Sequence, residues 1–292
     1  MVVRDTAGDK AFRIIVTILI TIVAVAMVYP FIVLLSSSFS DPMAIMRGEV
    51  WLFPVRPTIA AYQMVARHPD IWGAYANTIR YTLVGTSINI VLTVLGAYPL
   101  SRKDLYGRNF FMVMFLFTMF FSGGMIPSFL LVRNLGMLDT MWALILPTAI
   151  SVWNLIIMRT FFQYTIPDEL HESAALDGAN DLVFLIKVVI PLSGPIIAVM
   201  VLFYGVGHWN AWFSALLYIQ NRSLLPLQMI LREIIIQFST QDVAGAGVAD
   251  AEMVGEGVRF ATMMIATLPI MCLYPFLQRY FVKGVMIGAL KG

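Results

Sequence analysis

Most of the residues whose types and spacing suit them to chemistry gather between Thr165 and Ala179, where Asp168, Glu169, His171, Glu172 and Asp177 lie close together. His171-Glu172 opens like a zinc-protease motif. A helical zinc pair, however, needs its second histidine four residues after the first, and Ala175 stands there. No Gly-rich loop ending in Lys-Ser or Lys-Thr occurs, so the chain does not bind ATP through a P-loop, and any ATP dependence must come from a partner. Three histidines and one cysteine leave little for a metal cage or a disulfide framework. Cys272, flanked by Met271 and Leu273, reads as a packed or lipid-facing thiol. An intramembrane protease would need a Ser/His pair, an aspartate pair or a metal site within its spans, and no Asp or Glu falls inside the six apolar runs delimited below. No catalytic residue and no metal ligand is therefore assigned.

The acidic residues fit a different use. Pro167 suits a helix's first turn, where a missing N–H costs nothing, Asp168 and Glu169 sit where the helix dipole favours negative charge, and Gly178 offers the left-handed stop. In such a helix Leu170, Ala174 and Asp177 share one face, and Glu169, Glu172 and Leu176 lie on a neighbouring one. Ala174 and Ala175 keep the surface flat. This is a shape for gripping by a partner, although a solvated acidic cap that merely ends two helices carries the same end signals. His171, alone at a membrane edge, is expected to be solvated.

A second polar group lies in apolar surroundings. Phe203-Tyr204-Gly205-Val206-Gly207-His208-Trp209-Asn210-Ala211-Trp212-Phe213 mixes hydrogen-bonding groups, aromatics and glycines, and polar groups in hydrocarbon are costly unless they face a cavity or a partner. Aromatic platforms beside Asn, Tyr and His suit the C–H faces and hydroxyl edges of a sugar ring. Tyr204, His208, Trp209, Asn210 and Trp212, with Trp153 and Asn154 upstream, are thus the candidates for a translocation path. Interfacial anchoring and helix packing would use the same residue types.

Membrane-spanning helices have to position both groups. Hydrophobic residues make up 60% of the chain and charged ones 12%, far from an ordinary soluble domain, and a formal net charge of +2 gives no reason to bind nucleic acid. With about 20 mostly apolar residues needed per crossing, six runs qualify: Ile14–Ser37, Thr78–Leu100, Asn109–Leu131, Met141–Phe162, Leu182–Leu202 and Phe260–Phe281. The first is too long for a signal-peptide core and lacks a small-residue cleavage site, so it is expected to remain as a span. Arg4, Lys10, Arg13, Arg102, Lys103, Arg108, Arg279, Lys283 and Lys291 all fall on one side, which places both termini and the 165–181 loop in the cytoplasm. The expected organisation is a cytoplasmic N-terminus over 1–13, a transmembrane domain over 14–283, and a cytoplasmic tail over 284–292. On the other side, 38–77 is amphipathic, and 219–259 contains a possible re-entrant or surface helix and the flexible-looking Ala244-Gly245-Ala246-Gly247.

Glu172-Ser173-Ala174, Gly178 six residues past the Glu, and Val188-Val189-Ile190-Pro191 resemble the signature loop of binding-protein-dependent ABC importer permeases. Ser173 departs mildly from that pattern. Asp177-Gly178-Ala179 and Pro191-Leu192 followed by Pro195 look like its sugar-permease form. Ser36-Ser37-Ser38-Phe39-Ser40-Asp41-Pro42, Asn77, Ala97-Tyr98-Pro99-Leu100-Ser101-Arg102 and Gln278-Arg279-Tyr280-Phe281-Val282-Lys283-Gly284 with Lys291-Gly292 are similar to the second permease subunit of carbohydrate importers. Phe121-Ser122-Gly123-Gly124-Met125-Ile126-Pro127 and Leu135-Gly136-Met137-Leu138-Asp139-Thr140 resemble the branch handling alginate-type and pectin-type oligosaccharides.

This resemblance implies an all-α inner-membrane subunit of type I importer fold, with six transmembrane helices and a cytoplasmic coupling helix. It further implies a homologous second permease, two ATP-binding subunits that carry the ATP and Mg, and an extracytoplasmic solute-binding protein; no cofactor belongs to this chain. Glu169, Glu172, Ala174, Ala175, Asp177 and Gly178 would then form the surface that meets the ATPase. The same scaffold importing a peptide or amino acid, an intramembrane enzyme, and an ion-driven secondary transporter are the competing readings. The first would be expected to lack the sugar-type tail and the Gly123-Gly124 stretch; activity of the purified chain alone and uptake without any ATPase would mark the other two.

Overall fold

The computed structural model describes residues 6–241 and 249–289, and every element among them is helical. In order these are α1 (Ala7–Ser38), α2 (Pro42–Met46), α3 (Ala60–Ala66), α4 (Ile71–Ser101), α5 (Arg108–Phe120), α6 (Met125–Asn134), α7 (Trp142–Ile145), α8 (Val152–Thr165), α9 (Asp168–Leu176), α10 (Asp181–Phe184), α11 (Ile190–Leu192), α12 (Gly194–Trp209), α13 (Phe213–Tyr218), α14 (Leu227–Gln241) and α15 (Ala249–Ala289). The Ala244–Gly247 stretch, Arg4 and the Lys291-Gly292 tail lie outside the described residues. The chain divides into two units, residues 1–69 with 231–268 and residues 70–230 with 269–292.

In the first unit α1 starts at a capping box, with the Asp9 N–H on Thr6 Oγ1 at 3.2 Å and the Thr6 N–H on Asp9 Oδ2 at 2.9 Å. From Ala7 to Ile32 every α1 residue is exposed, although nearly all are apolar. A helix that is apolar all round needs lipid or protein about it rather than water. Its end is different: Ser36, Ser37 and Ser38 are buried, with the Ser36 hydroxyl donating to the Leu52 carbonyl at 2.7 Å and the Tyr62 hydroxyl to Ser38 at 2.8 Å.

The second unit is built around α4, which packs against α8 and α12. Val94, Ala97 and Tyr98 of α4 meet Met158 and Phe162 of α8, Met200 and Tyr204 of α12, and Phe184 of α10 in one buried cluster. α4 also buries Thr78, Thr86, Asn89 and Thr93, an unusual polar load for the middle of an apolar bundle.

Among the described residues three helical segments are long and apolar enough to cross a membrane unbroken: Ala7–Ser38, Ile71–Ser101 and, within α15, Gly255–Leu273. The other three expected spans are each a pair of helices, bent by 109° between α5 and α6, by 53° between the α7 segment and α8, and by 81° between the α10–α11 segment and α12. Counting each pair as one span gives six. The breaks have local causes. Gly124 has φ +87°, ψ 174°, a conformation restricted to glycine, and it interrupts the run that apolarity alone predicts to be continuous. Pro147 stands in a tight turn after α7, and Ser151 starts α8 by accepting from the Asn154 N–H. Pro191 removes a helical N–H and the preceding Leu185–Val189 turn widens into a π-helix, and the bend itself falls at Ser193, just before Pro195 in the first turn of α12.

Candidate functional site

Pro167 occupies the N-cap of α9, one position earlier than the first-turn placement expected for it, and Asp168 and Glu169 fill that turn. At the other end Gly178 has φ +76°; its N–H reaches the Ala175 carbonyl at 3.0 Å, and the Ala179 N–H reaches the Ala174 carbonyl at 2.9 Å. This pair of bonds is the Schellman closure that the glycine allows. A Cβ at Gly178 would touch nothing within 4 Å, so the requirement there is conformational rather than steric.

Glu169, Glu172, Ser173, Ala175, Leu176, Asp177 and Gly178 are exposed, Leu176 to 90%. Ala174, expected on the gripped surface, turns inward instead and packs on the buried cluster that includes Phe162 and Phe184. α9 therefore presents acidic groups around an uncovered leucine and keeps its other side against the protein.

His171 corrects the expectation of a solvated side chain. It is held edge-on against Phe184 with ring centroids 5.1 Å apart, its Nδ1 lies 3.0 Å from an Arg102 nitrogen, and its Nε2 lies 3.1 Å from Asp181 Oδ1. A neutral imidazole carrying its proton on Nε2 satisfies both contacts, accepting from the guanidinium and donating to the carboxylate. Beside it Lys103 Nζ donates to Asp168 Oδ2 at 2.7 Å. That hydrogen bond and its charge hold the Asp168 carboxyl below its usual value and the Lys103 ammonium above its own. Arg159 of α8 donates from Nε to the Leu100 carbonyl at 2.9 Å, satisfying a group that the end of α4 leaves open.

The aromatic group meets a different fate. Tyr204 Oη and Thr93 Oγ1 are 2.7 Å apart, and the Ser151 N–H donates to Tyr204 Oη at 3.2 Å. His208 Nε2 lies 2.6 Å from Asn89 Oδ1, while Asn89 Nδ2 donates to the carbonyls of Thr148 and Ala149 at 2.9 and 2.7 Å. The break before α8 frees just these backbone groups, and Asn89 and Tyr204 satisfy them where lipid cannot. Tyr204 Oη and His208 Nε2, expected to meet substrate, are spent within the fold. Trp209 is buried with its ring edge-on to Tyr75 at 5.8 Å, and Asn154 is buried in the first turn of α8. Trp153, Asn210 and Trp212 remain exposed.

Residues 90–287 match the model of the family described as binding-protein-dependent transport system inner membrane component. The chain belongs to that family. Protein LplC of Bacillus subtilis (strain 168) is 39% identical over 289 residues, covering 99% of this chain and 98% of LplC. The polygalacturonan/rhamnogalacturonan transport system permease protein YtcP of the same bacterium is 41% identical over 276 residues, covering 92% of this chain and 94% of YtcP. Among solved structures, a chain of a bacterial ABC transporter involved in the import of the acidic polysaccharide alginate matches with a TM-score of 0.81 at 34% identity, over 95% of this chain and 99% of that one.

As a binding-protein-dependent permease the chain is a multi-pass transport subunit rather than an enzyme. Membership implies a partner permease, an ATPase and a substrate-binding protein. The matched region starts at Ile90, within α4, and takes in Arg102, Lys103, α9 and Asp181. Of these, Lys103 was legible only as a charge marking one side of the membrane, Arg102 as such a charge and as the end of the 97–102 stretch, and Asp181 only as the end of a loop. Asn89 carried one usable signal, an amide in the middle of an apolar run.

Proposed function

We propose that this permease forms half of the translocation path of an ATP-driven importer for oligosaccharides, with acidic, uronate-bearing chains as the cargo. One observation supports the cargo class above others: a permease named for polygalacturonan and rhamnogalacturonan at 41% identity, and a transporter structure described for alginate at 34%, both match over nearly the whole chain. These cargoes share sugar carboxylates.

On this reading α9, with the surrounding 165–181 loop, is the coupling helix and faces the cytoplasm together with both termini. Glu169, Glu172 and Asp177 meet basic or polar groups of an ATPase groove, Leu176 enters it, and Ala175 and Gly178 permit close approach. Ala174 anchors the helix from behind. Two ATP-binding subunits hold the ATP and Mg, a second, homologous permease supplies the other half of the path, and an extracytoplasmic binding protein delivers the sugar. Closure of the ATPases pushes α9, and rigid-body tilting of the spans alternates which side is open. Within this chain Trp153, Asn210 and Trp212 offer surface to the sugar, whereas Tyr204 and His208 shape the wall by fixing the helices behind it.

The test is ATPase activity of the reconstituted complex with its binding protein across neutral and uronic-acid oligosaccharides, beside a Glu172→Lys control. Stimulation by the uronic-acid chains, lost in the control, is the expected result. Stimulation by neutral sugars alone would overturn the cargo class, and a fully coupled Glu172→Lys complex would overturn the role of α9.

A further inference from the structure

The end of α4 nearest α9 is weak as a helix but held from several sides. Pro99 deprives its last turn of an N–H, and the turn is closed instead by Ser101 Oγ on the Tyr98 carbonyl at 2.6 Å and by Arg159 on the Leu100 carbonyl. From the two residues that follow α4 the chain reaches α9 twice. Lys103 takes Asp168 in its first turn, and Arg102 takes His171 one turn on. His171 passes the connection to Asp181, whose Oδ1 also lies 3.3 Å from the Tyr98 hydroxyl, so the chain of contacts returns to α4.

The other end of α4 is fastened as firmly, to the segment between α13 and α14. Asp70 receives Arg222 Nε at 2.6 Å; Asn77 Nδ2 donates to the carbonyls of Ser223 and Leu225; Tyr81 donates to that of Leu224; and the Leu227 N–H donates to Thr78 Oγ1 at 2.7 Å. Between these attachments α4 is one unbroken helix of 31 residues, about 46 Å at 1.5 Å per residue. Its neighbours α8 and α12 each follow a break within their own spans.

We propose that Arg102 and Lys103 are positioning residues that clip α9 to α4, so that a push received by α9 is delivered as motion of the whole of α4 and of the 219–227 segment tied to its far end. This rests on the reading of α9 as the coupling helix. The clip is joined by charges rather than by apolar packing: two residues one turn apart, Asp168 and His171, are grasped along one edge, which leaves the acidic face of α9 uncovered for its partner.

A charge-swap cycle in the reconstituted complex tests this, using oligogalacturonate and alginate oligomers as the transported probes and reading ATP hydrolysed per sugar imported. Lys103→Asp and Asp168→Lys, each alone, are expected to raise that ratio several-fold, and the double variant to return it to within about twofold of the unaltered complex. Unchanged single variants, or a double variant no better than the worse single, would overturn the clip. A second arm avoids charge reversal. With Cys272→Ala as background, Lys103→Cys and Asp168→Cys are joined by a short thiol-specific cross-linker. Coupled import that survives the cross-link is expected, and import abolished by it would show that α4 and α9 must separate. The Glu172→Lys complex separates the two ideas: if it uncouples while the single charge reversals do not, only the clip fails, and if it too stays coupled, the role of α9 fails with it.

Discussion

α9 and the crossing of α4, α8 and α12 at Asn89 both assemble polar residues on an apolar scaffold, and they hold them by opposite means. Around Asn89 the residues are buried, uncharged and turned toward backbone groups that a helix break leaves open; Asn89 itself is wholly buried. Around α9 they are charged, and Lys103 and Asp168 are 70% and 59% exposed in their side chains. In a low dielectric an unmet amide or carbonyl is expensive, so the inner group is needed to keep the fold. At the surface a single ion pair adds little stability, so the outer group can serve orientation and remain breakable. Polar residues inside the helix bundle of this permease therefore preserve architecture, and those around α9 are left breakable.

Removing the hub of the inner group tests this contrast most severely. Asn89→Leu keeps the branched shape but strands the Thr148 and Ala149 carbonyls and His208 Nε2, at about 1–3 kcal/mol for each group left unmet. A thermal midpoint lowered by many degrees in the solubilised complex is expected, whereas Asp168→Asn should leave it nearly in place. Equal shifts for the two variants would erase the distinction between the regions.

Gly85→Ala should come next. A Cβ there would stand 2.5 Å from His208 Nε2, and the ring cannot simply swing aside because Asn89 holds it. Overpacking of this kind costs about 1–3 kcal/mol. Adding His208→Ala makes room for the new methyl, so the double variant should be less damaged than the sum of the singles, as expected for residues in contact. Additive losses in unfolding measurements would mean that the crossing does not depend on this close approach.

How much of this was readable from residues alone divides along the same line. The α9 helix and its glycine stop follow from local rules, since Asp168, Glu169 and Gly178 each satisfy an end requirement within a few residues. The apolar runs were equally legible by length. The partners of the polar groups were not, because Asn89 and Thr148 are 59 positions apart and Tyr204 and Thr93 are 111 apart. Tyr204 and His208 read as candidates for substrate; only the fold shows the Ser151 N–H and Thr93 hydroxyl that meet Tyr204 and the Asn89 amide that meets His208. His171 is the converse case, a lone residue in sequence whose two partners arrive from the end of α4 and the start of α10. The break at Gly124 was in plain sight as Gly123-Gly124 but signalled kinship rather than geometry, since apolarity carries no information about where a helix turns.

Gly178 sharpens the outer half of the comparison with a smaller effect. Because nothing would touch its Cβ, a substitution there acts through φ alone, and Gly178→Val should disturb the end of α9 by about 1–2 kcal/mol while Gly178→Asn, which tolerates the left-handed region, costs less. Binding-protein-stimulated ATPase coupled to import should fall in the order Gly, Asn, Val, with the complex still assembled. Equal coupling in Asn and Val would locate the constraint in side-chain size at the ATPase surface instead of in the backbone.

The smallest effect expected is that of pH on the Lys103–Asp168 pair. Asp168 is held below its ordinary value of 3.8 by the hydrogen bond from Lys103, so its share is complete above that value and is lost as pH falls through the lowered one. Lys103 is held above its ordinary 10.5 by the same bond, so its share is complete below 10.5 and is lost as pH rises through the raised value. Across roughly pH 6 to 9 neither group changes charge, and hydrogen exchange at the α9 amides, corrected for the intrinsic rate, should show no pH dependence from this pair. Salt should act where pH does not: raising it from about 0.05 to 0.5 M screens an exposed pair and should loosen protection in α9, while protection in the first turn of α8, held by the Asn89 group, stays unchanged. Protection in α9 that instead changed with pH across this range, or that ignored salt, would mean that the Lys103–Asp168 pair does not hold the helix.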